Sequence, residues 1–150
     1  MKIVIIGSGN VAFHLAKAFT QNNIEVSQIF GRNEVELNKI SEELNIPYST
    51  KELADADLYL ISVSDSAVEQ VSDLIKTEKA LVAHTSGSLP IETLNGDYRK
   101  ASFYPLQTFS KTKNLDYSKI PFFIEAENQI DEKSLFELAS LISDNVETSD

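Results

Sequence analysis

Cysteine is absent from the 150 residues, which excludes disulfides, thiolate metal sites and a cysteine nucleophile. Long apolar runs are missing too. No stretch approaches the roughly 20 residues that span a bilayer. The opening Met1-Lys2-Ile3-Val4-Ile5-Ile6 is broken by Gly7 and is too short for a signal peptide. A cytoplasmic location is therefore expected, with no membrane partner. Basic residues are in the minority: 13 Lys and Arg against 23 Asp and Glu give a formal net charge of −10. A surface this acidic repels phosphate backbones and anionic lipid, so no nucleic-acid partner is expected. Any anionic ligand has to be held by local amides and a local cation against that field. No His/Asp/Glu spacing points to a metal, and no G-x-S-x-G or Ser/His/Asp arrangement is present.

What remains is an ordinary soluble composition, 42% apolar and 24% charged, in a length that suits one domain with a sizeable core. The β-branched run from Lys2 to Ile6 reads as a strand buried on both faces. From Asn10 to Gln21 the period becomes helical, with Val11, Ala12, Leu15, Ala16 and Phe19 inward and Asn10, His14, Lys17 and Gln21 on a polar, solvated side. Ile24 to Phe30 is a second strand, and Asn33 with Glu36 forms a capping pattern for a helix burying Leu37, Ile40 and Leu44. Ile46 to Tyr48 is a short strand, and Ser49 with Glu52 marks another cap. Asp57 to Val63 is a strong strand, followed by a helix with Val68, Val71, Leu74 and Ile75 inward. Ala80 to Ala83 is the fifth strand. Ser88 to Leu94 reads as a short helix with Pro90 in its first turn, and Lys100 to Phe103 as a sixth strand. Ile120 to Glu125 is a further strand, and Asp131 to Ile142 a last helix. This alternation predicts an α/β, doubly wound, mainly parallel sheet, a Rossmann fold in one domain.

Gly7-Ser8-Gly9-Asn10-Val11-Ala12 fits G-x-G-x-x-G/A directly between the first strand and the first helix. In that context each position has a physical task. Gly7 takes the tight turn, Gly9 has no Cβ to obstruct a pyrophosphate, and Ala12 lets the helix pack closely on the sheet. The free N–H groups of the helix start attract phosphates. The alternative is a tight strand-to-helix turn with no ligand. At the end of the second strand, where an NAD site has an acidic residue for the ribose hydroxyls, the chain reads Phe30-Gly31-Arg32-Asn33. Arg32 can form charge-assisted bonds to a 2′-phosphate, with Asn33 at the following helix start, so NADP is expected ahead of NAD. Otherwise Arg32 is a solvated residue and Asn33 only a cap.

In the strand order 3-2-1-4-5-6, the loop Val63-Ser64-Asp65 after the fourth strand faces the same cleft. The hydroxyls from Ser62 to Ser66 around it either bond the nicotinamide ribose or serve as caps, since Ser66 with Glu69 fits a capping box. Leaving the fifth strand, His84-Thr85-Ser86-Gly87-Ser88 places an imidazole beside hydroxyls. His84 is a candidate proton donor for the proton that accompanies hydride transfer, with Thr85 and Ser86 beside the cofactor. The alternative is a histidine fixed by backbone bonds in a turn. The aromatic segment Ser102-Phe103-Tyr104-Pro105-Leu106-Gln107-Thr108-Phe109, with a polar centre and no helical period, either closes the cofactor site or packs as a core turn.

Together these blocks resemble the Rossmann-like NADP oxidoreductases that carry a C-terminal domain of unknown function. That family is similar in turn to pyrroline-5-carboxylate reductases and F420-dependent NADP oxidoreductases. The resemblance covers nearly the whole chain, and the His84 and Tyr104 blocks are its most specific parts. Many relatives have His-Pro where this chain has Tyr104-Pro105. The resemblance implies NADP binding and dehydrogenase-type chemistry on a small carbonyl or imine. It also implies a helical domain beyond Asp150 that completes the substrate pocket and a dimer in a longer form. A non-catalytic NADP(H)-binding module is the second reading. A methyltransferase-like domain is a remote third, because Arg32 stands where that chemistry needs a carboxylate.

Overall fold

In the computed structural model, residues 1–106, 109 and 115–148 are described. Gln107 and Thr108 of the aromatic block, and Asp150, lie outside them. The strands are β1 (Ile3–Ile6), β2 (Val26–Phe30), β3 (Tyr48–Ser49), β4 (Leu58–Ile61), β5 (Leu81–His84), β6 (Arg99–Pro105), β7 (Phe122–Ala126) and β8 (Val146–Thr148). They form one sheet in the order β3-β2-β1-β4-β5-β6-β7-β8. All pairings are parallel except that of β6 with β7. The helices are α1 (Asn10–Gln21), α2 (Glu34–Leu44), α3 (Asp65–Ser72) and α4 (Gln129–Ser140). The doubly wound, mainly parallel sheet is thus the one the alternation of elements predicts.

The pleat sorts β1 into two cores. Ile3 and Ile5 join one cluster with Leu58 and Leu60 of β4, Leu15 and Phe19 of α1, Leu37 of α2 and Leu135 of α4. Val4 and Ile6 join the other with Tyr59 and Ile61 of β4 and Val68 of α3. Successive side chains point to opposite faces, so a strand covered on both sides must be apolar throughout. That is why Ile3–Ile6 has no polar position.

Local signals place the helix ends. The Asn33 side chain accepts a hydrogen bond from the Glu36 amide (3.1 Å) and opens α2. Asn45, with φ of 57°, closes it in the left-handed region, which asparagine tolerates. Asn128 caps α4 by accepting from the Asp131 amide at 2.8 Å. Two expected features differ. Ser49 does accept from the Glu52 amide at 3.0 Å, but no helix follows, and the residues up to β4 carry no regular secondary structure. The expected helix at 88–94 is a single 3₁₀ turn, Ile91–Thr93. Pro90 precedes it with an extended backbone and donates no N–H. Among the described residues no helix is long and apolar enough to cross a membrane.

Candidate functional site

The C-terminal ends of β1, β2, β4 and β5 open onto one cleft of about 700 Å³. It lies at the switch point, where the chain reverses direction across the sheet from β1 to β4. Gly7, Ser8, Gly9, Asn10 and Val11 form its floor, Arg32 and Asn33 one end, and Val63, Ser64, Asp65, Thr85 and Ser86 the other side. The structure therefore gathers every cofactor-site candidate read from the sequence into one cavity.

The two glycines of the first loop differ in kind. Gly7 has φ of 134°, and a Cβ there would lie 2.2 Å from the Ser62 carbonyl oxygen. The turn and the close passage of the chain at Ser62, just past the end of β4, both require glycine. At Gly9 a Cβ would meet nothing within 4 Å, and its φ of −83° suits any residue. No contact with the described residues demands glycine there. The space is the cleft itself, as a ligand backbone approaching α1 requires. Among the described residues no side chain caps α1, and the first bond into its backbone is from the Phe13 amide to the Gly9 carbonyl, 3.0 Å. The amides of Asn10, Val11 and Ala12 precede that bond and carry the positive end of the helix dipole.

Arg32 is exposed, with no ion pair among the described residues. Asn33 spends its side-chain oxygen on the α2 cap, which leaves the arginine as the cation of that end among the described residues. On the opposite side, Thr85 donates to the Ile61 carbonyl at 3.2 Å. Ser88 donates to the Asp65 carboxylate at 2.7 Å, tying the turn after β5 to the start of α3.

His84 is fully buried and does not line the cleft. The Ser86 amide donates to its Nδ1 at 3.1 Å, so the proton sits on Nε2, which faces the Pro90 carbonyl at 3.2 Å. Burial, only partly offset by those backbone carbonyls, pushes its pKa below 6.5. Both nitrogens are taken by backbone, so the ring offers no proton to the cleft in this arrangement. Its geometry is that of the alternative, a histidine fixed in a turn.

Two further residues depart from expectation. His14 is not solvated: it is 1% exposed, with Nδ1 2.6 Å from the Tyr117 hydroxyl. The second cover over α1 comes from residues about a hundred positions away, which helical periodicity cannot register. Leu74 lies past the end of α3 and is 52% exposed, lining the cleft with Val71 rather than the core. Phe109 also lines the cleft. The aromatic block containing it was legible, but its contact with α1 was not. In the same block the Tyr104 ring packs directly over Gly87, so the two most specific motifs touch. Among the described residues no cluster of three or more His, Asp or Glu is placed to hold a metal.

Comparison with known proteins agrees with this geometry. The structure superimposes on a Bacteroides fragilis protein assigned as an NADP oxidoreductase, with a TM-score of 0.92 and 36% identity. The match covers 99% of this chain and 60% of that one, so the chain spans about three fifths of that relative's length. A pyrroline-5-carboxylate reductase of Streptococcus pyogenes matches at TM-score 0.76 and 20% identity, over 100% of this chain and 57% of the other. An imine reductase of Myxococcus stipitatus, solved with NADP+, matches at 0.71 and 12%, over 99% and 55%. The last two likenesses concern the fold. No curated protein matches the chain. A sequence profile matches residues 2–87, more than half the chain. The chain belongs to the family described as NADP oxidoreductase, coenzyme F420-dependent.

Proposed function

We propose that the cleft binds NADP(H) and that the chain is the cofactor-holding part of an oxidoreductase acting on a small carbonyl or imine. The observation that carries this reading is the start of α1, where Gly9 opens onto the cleft and no side chain caps the first turn. Such a cradle matches a pyrophosphate in shape and charge. Arg32 supplies the cation for a 2′-phosphate. The hydroxyls of Ser64, Thr85 and Ser86 line the far side of the cleft, which supports a ribose bound there. The nicotinamide would supply the hydride chemistry, and these residues bind and orient it. His84 acts as a brace that fixes the Thr85-Ser86 turn from behind. Names of structural neighbours, reductases of C=N bonds among them, support the substrate class. Substrate recognition is assigned to the helical domain that the family resemblance implies.

Thermal melting with NADP, NADPH, NAD and S-adenosylmethionine tests this reading. A ligand at about a hundred times its Kd stabilises the folded state by about 2.7 kcal/mol, roughly 5–10 °C for a domain of this size. The shift is expected with NADP and NADPH, less with NAD, and not with S-adenosylmethionine. A flat response to all four would overturn the proposal.

A further inference from the structure

A buried histidine–tyrosine pair lies behind the cleft and has no part in the reading above. His14 sits on α1 with its Nδ1 2.6 Å from the Tyr117 hydroxyl. Tyr117 opens the 3₁₀ turn Tyr117–Lys119. Burial, with the charge of Glu43 adding to it, pushes the Tyr117 pKa up to about 12, so the hydroxyl keeps its proton. The Phe109 ring stands 5.0 Å from the imidazole at 30°, and Phe13 closes the other side edge-on at 5.0 Å and 74°. The Phe109 carbonyl accepts from Asn10 Nδ2 at 2.9 Å. A leucine at position 14 would fill the same space without two ring nitrogens to desolvate and re-bond. Polar groups at such depth fix one arrangement of what surrounds them.

What they fix is Phe109. It comes after β6, which lies across β1 from β2 and the Arg32 turn in the sheet, and it lines the cleft beside the start of α1. With the 2′-phosphate at Arg32 and the pyrophosphate over α1, the remaining end of a dinucleotide faces this ring. The geometry points to His14 and Tyr117 as positioning residues. Their hydrogen bond, with that of Asn10, holds the Phe109 ring as a wall against the nicotinamide half of the cofactor. The inference rests on the NADP(H) reading and adds to it the residues that select for the nicotinamide ring.

Binding of NADPH and of 2′-phospho-ADP-ribose, which lacks nicotinamide, separates the two ideas in Tyr117→Phe and Phe109→Leu. Each variant is expected to weaken NADPH by about five- to tenfold, the scale of one buried hydrogen bond or ring contact. The fragment should change by less than about twofold, because its contacts lie at the other end. The gain in NADPH fluorescence on binding should fall as well. Equal losses for both ligands, or none, would overturn the positioning role while leaving the cofactor site standing. Failure of the unmutated chain to bind NADPH would overturn both. Should Tyr117→Phe not fold, Phe109→Leu, at the cleft wall, decides the same ratio.

Discussion

Gly7 and Gly9 stand two residues apart and are glycine for different reasons. Gly7 answers to the fold, since any side chain there collides with the Ser62 carbonyl in a conformation that L-residues avoid. Gly9 answers only to what enters the cleft. Replacing Gly9 by alanine is therefore expected to leave the melting midpoint within about 0.5 kcal/mol of the parent, as at other open sites. The same change should weaken NADPH by about tenfold or more, because a methyl group would occupy the approach to the α1 amides. Melting curves and calorimetric titration of one variant test both halves. A large loss of stability would show that Gly9 is structural, and unchanged affinity would place the pyrophosphate elsewhere. The motif assigned the turn to Gly7 and the ligand approach to Gly9, but it could not distinguish a glycine the fold tolerates from one it requires. That distinction depends on the Ser62 carbonyl, 55 positions away in the sequence.

At the scale of elements, β5 and the turn that follows it depend on the protonation of His84. The neutral ring receives the Ser86 amide on Nδ1 and gives its Nε2 proton to the Pro90 carbonyl. Burial lowers its folded pKa below the 6.5 of an exposed imidazole. Between those two values the unfolded chain takes up a proton that the folded one does not, so stability falls as pH falls. His84 therefore withholds nothing above 6.5, and its destabilising effect grows on acidification until the folded pKa is reached. In His84→Asn, the acid side of a melting-temperature profile should be shallower than in the parent. Parallel profiles would show that the ring titrates freely. The same scale shows where sequence reading works. The bounds of α1 and the cap of α2 are local signals and agree with the structure. β8 escaped because three residues, half-buried, exposed and half-buried in turn, are too short a run to establish a period. The antiparallel turn of β7 against β6 is a matter of long-range pairing, and so is the burial of His14. Periodicity reports which face of a helix is apolar, but not how many neighbours cover it.

For the molecule as a whole, the short edge strands β3 and β8, of two and three residues, leave little unpaired backbone for another chain to extend. The larger global feature is charge. A net charge of −10 opposes every anion that approaches, and the 2′-phosphate adds negative charge to one already repelled. A preference for NADPH over NADH must then come from a local contact strong enough to overcome the field, and Arg32 is the cation at that end of the cleft. Arg32→Ala is expected to weaken NADPH by about tenfold or more and NADH by less than about twofold, the loss of one charge-assisted pair. The global field makes a sharper prediction. With the local cation gone, only repulsion acts on the extra phosphate, so at low salt the variant should bind NADH more tightly than NADPH. At about 0.01 M salt the Debye length is roughly 30 Å, comparable to a small domain, whereas at 1 M it is about 3 Å. Raising salt through that range should erase the reversed preference in Arg32→Ala while narrowing the normal preference in the parent. The two trends have opposite sign, because one screens a repulsion and the other an attraction. Calorimetric titrations of both cofactors at the two salt concentrations measure them. A preference for NADPH that persists in Arg32→Ala at low salt would mean that backbone amides, and not this guanidinium, hold the 2′-phosphate against the field.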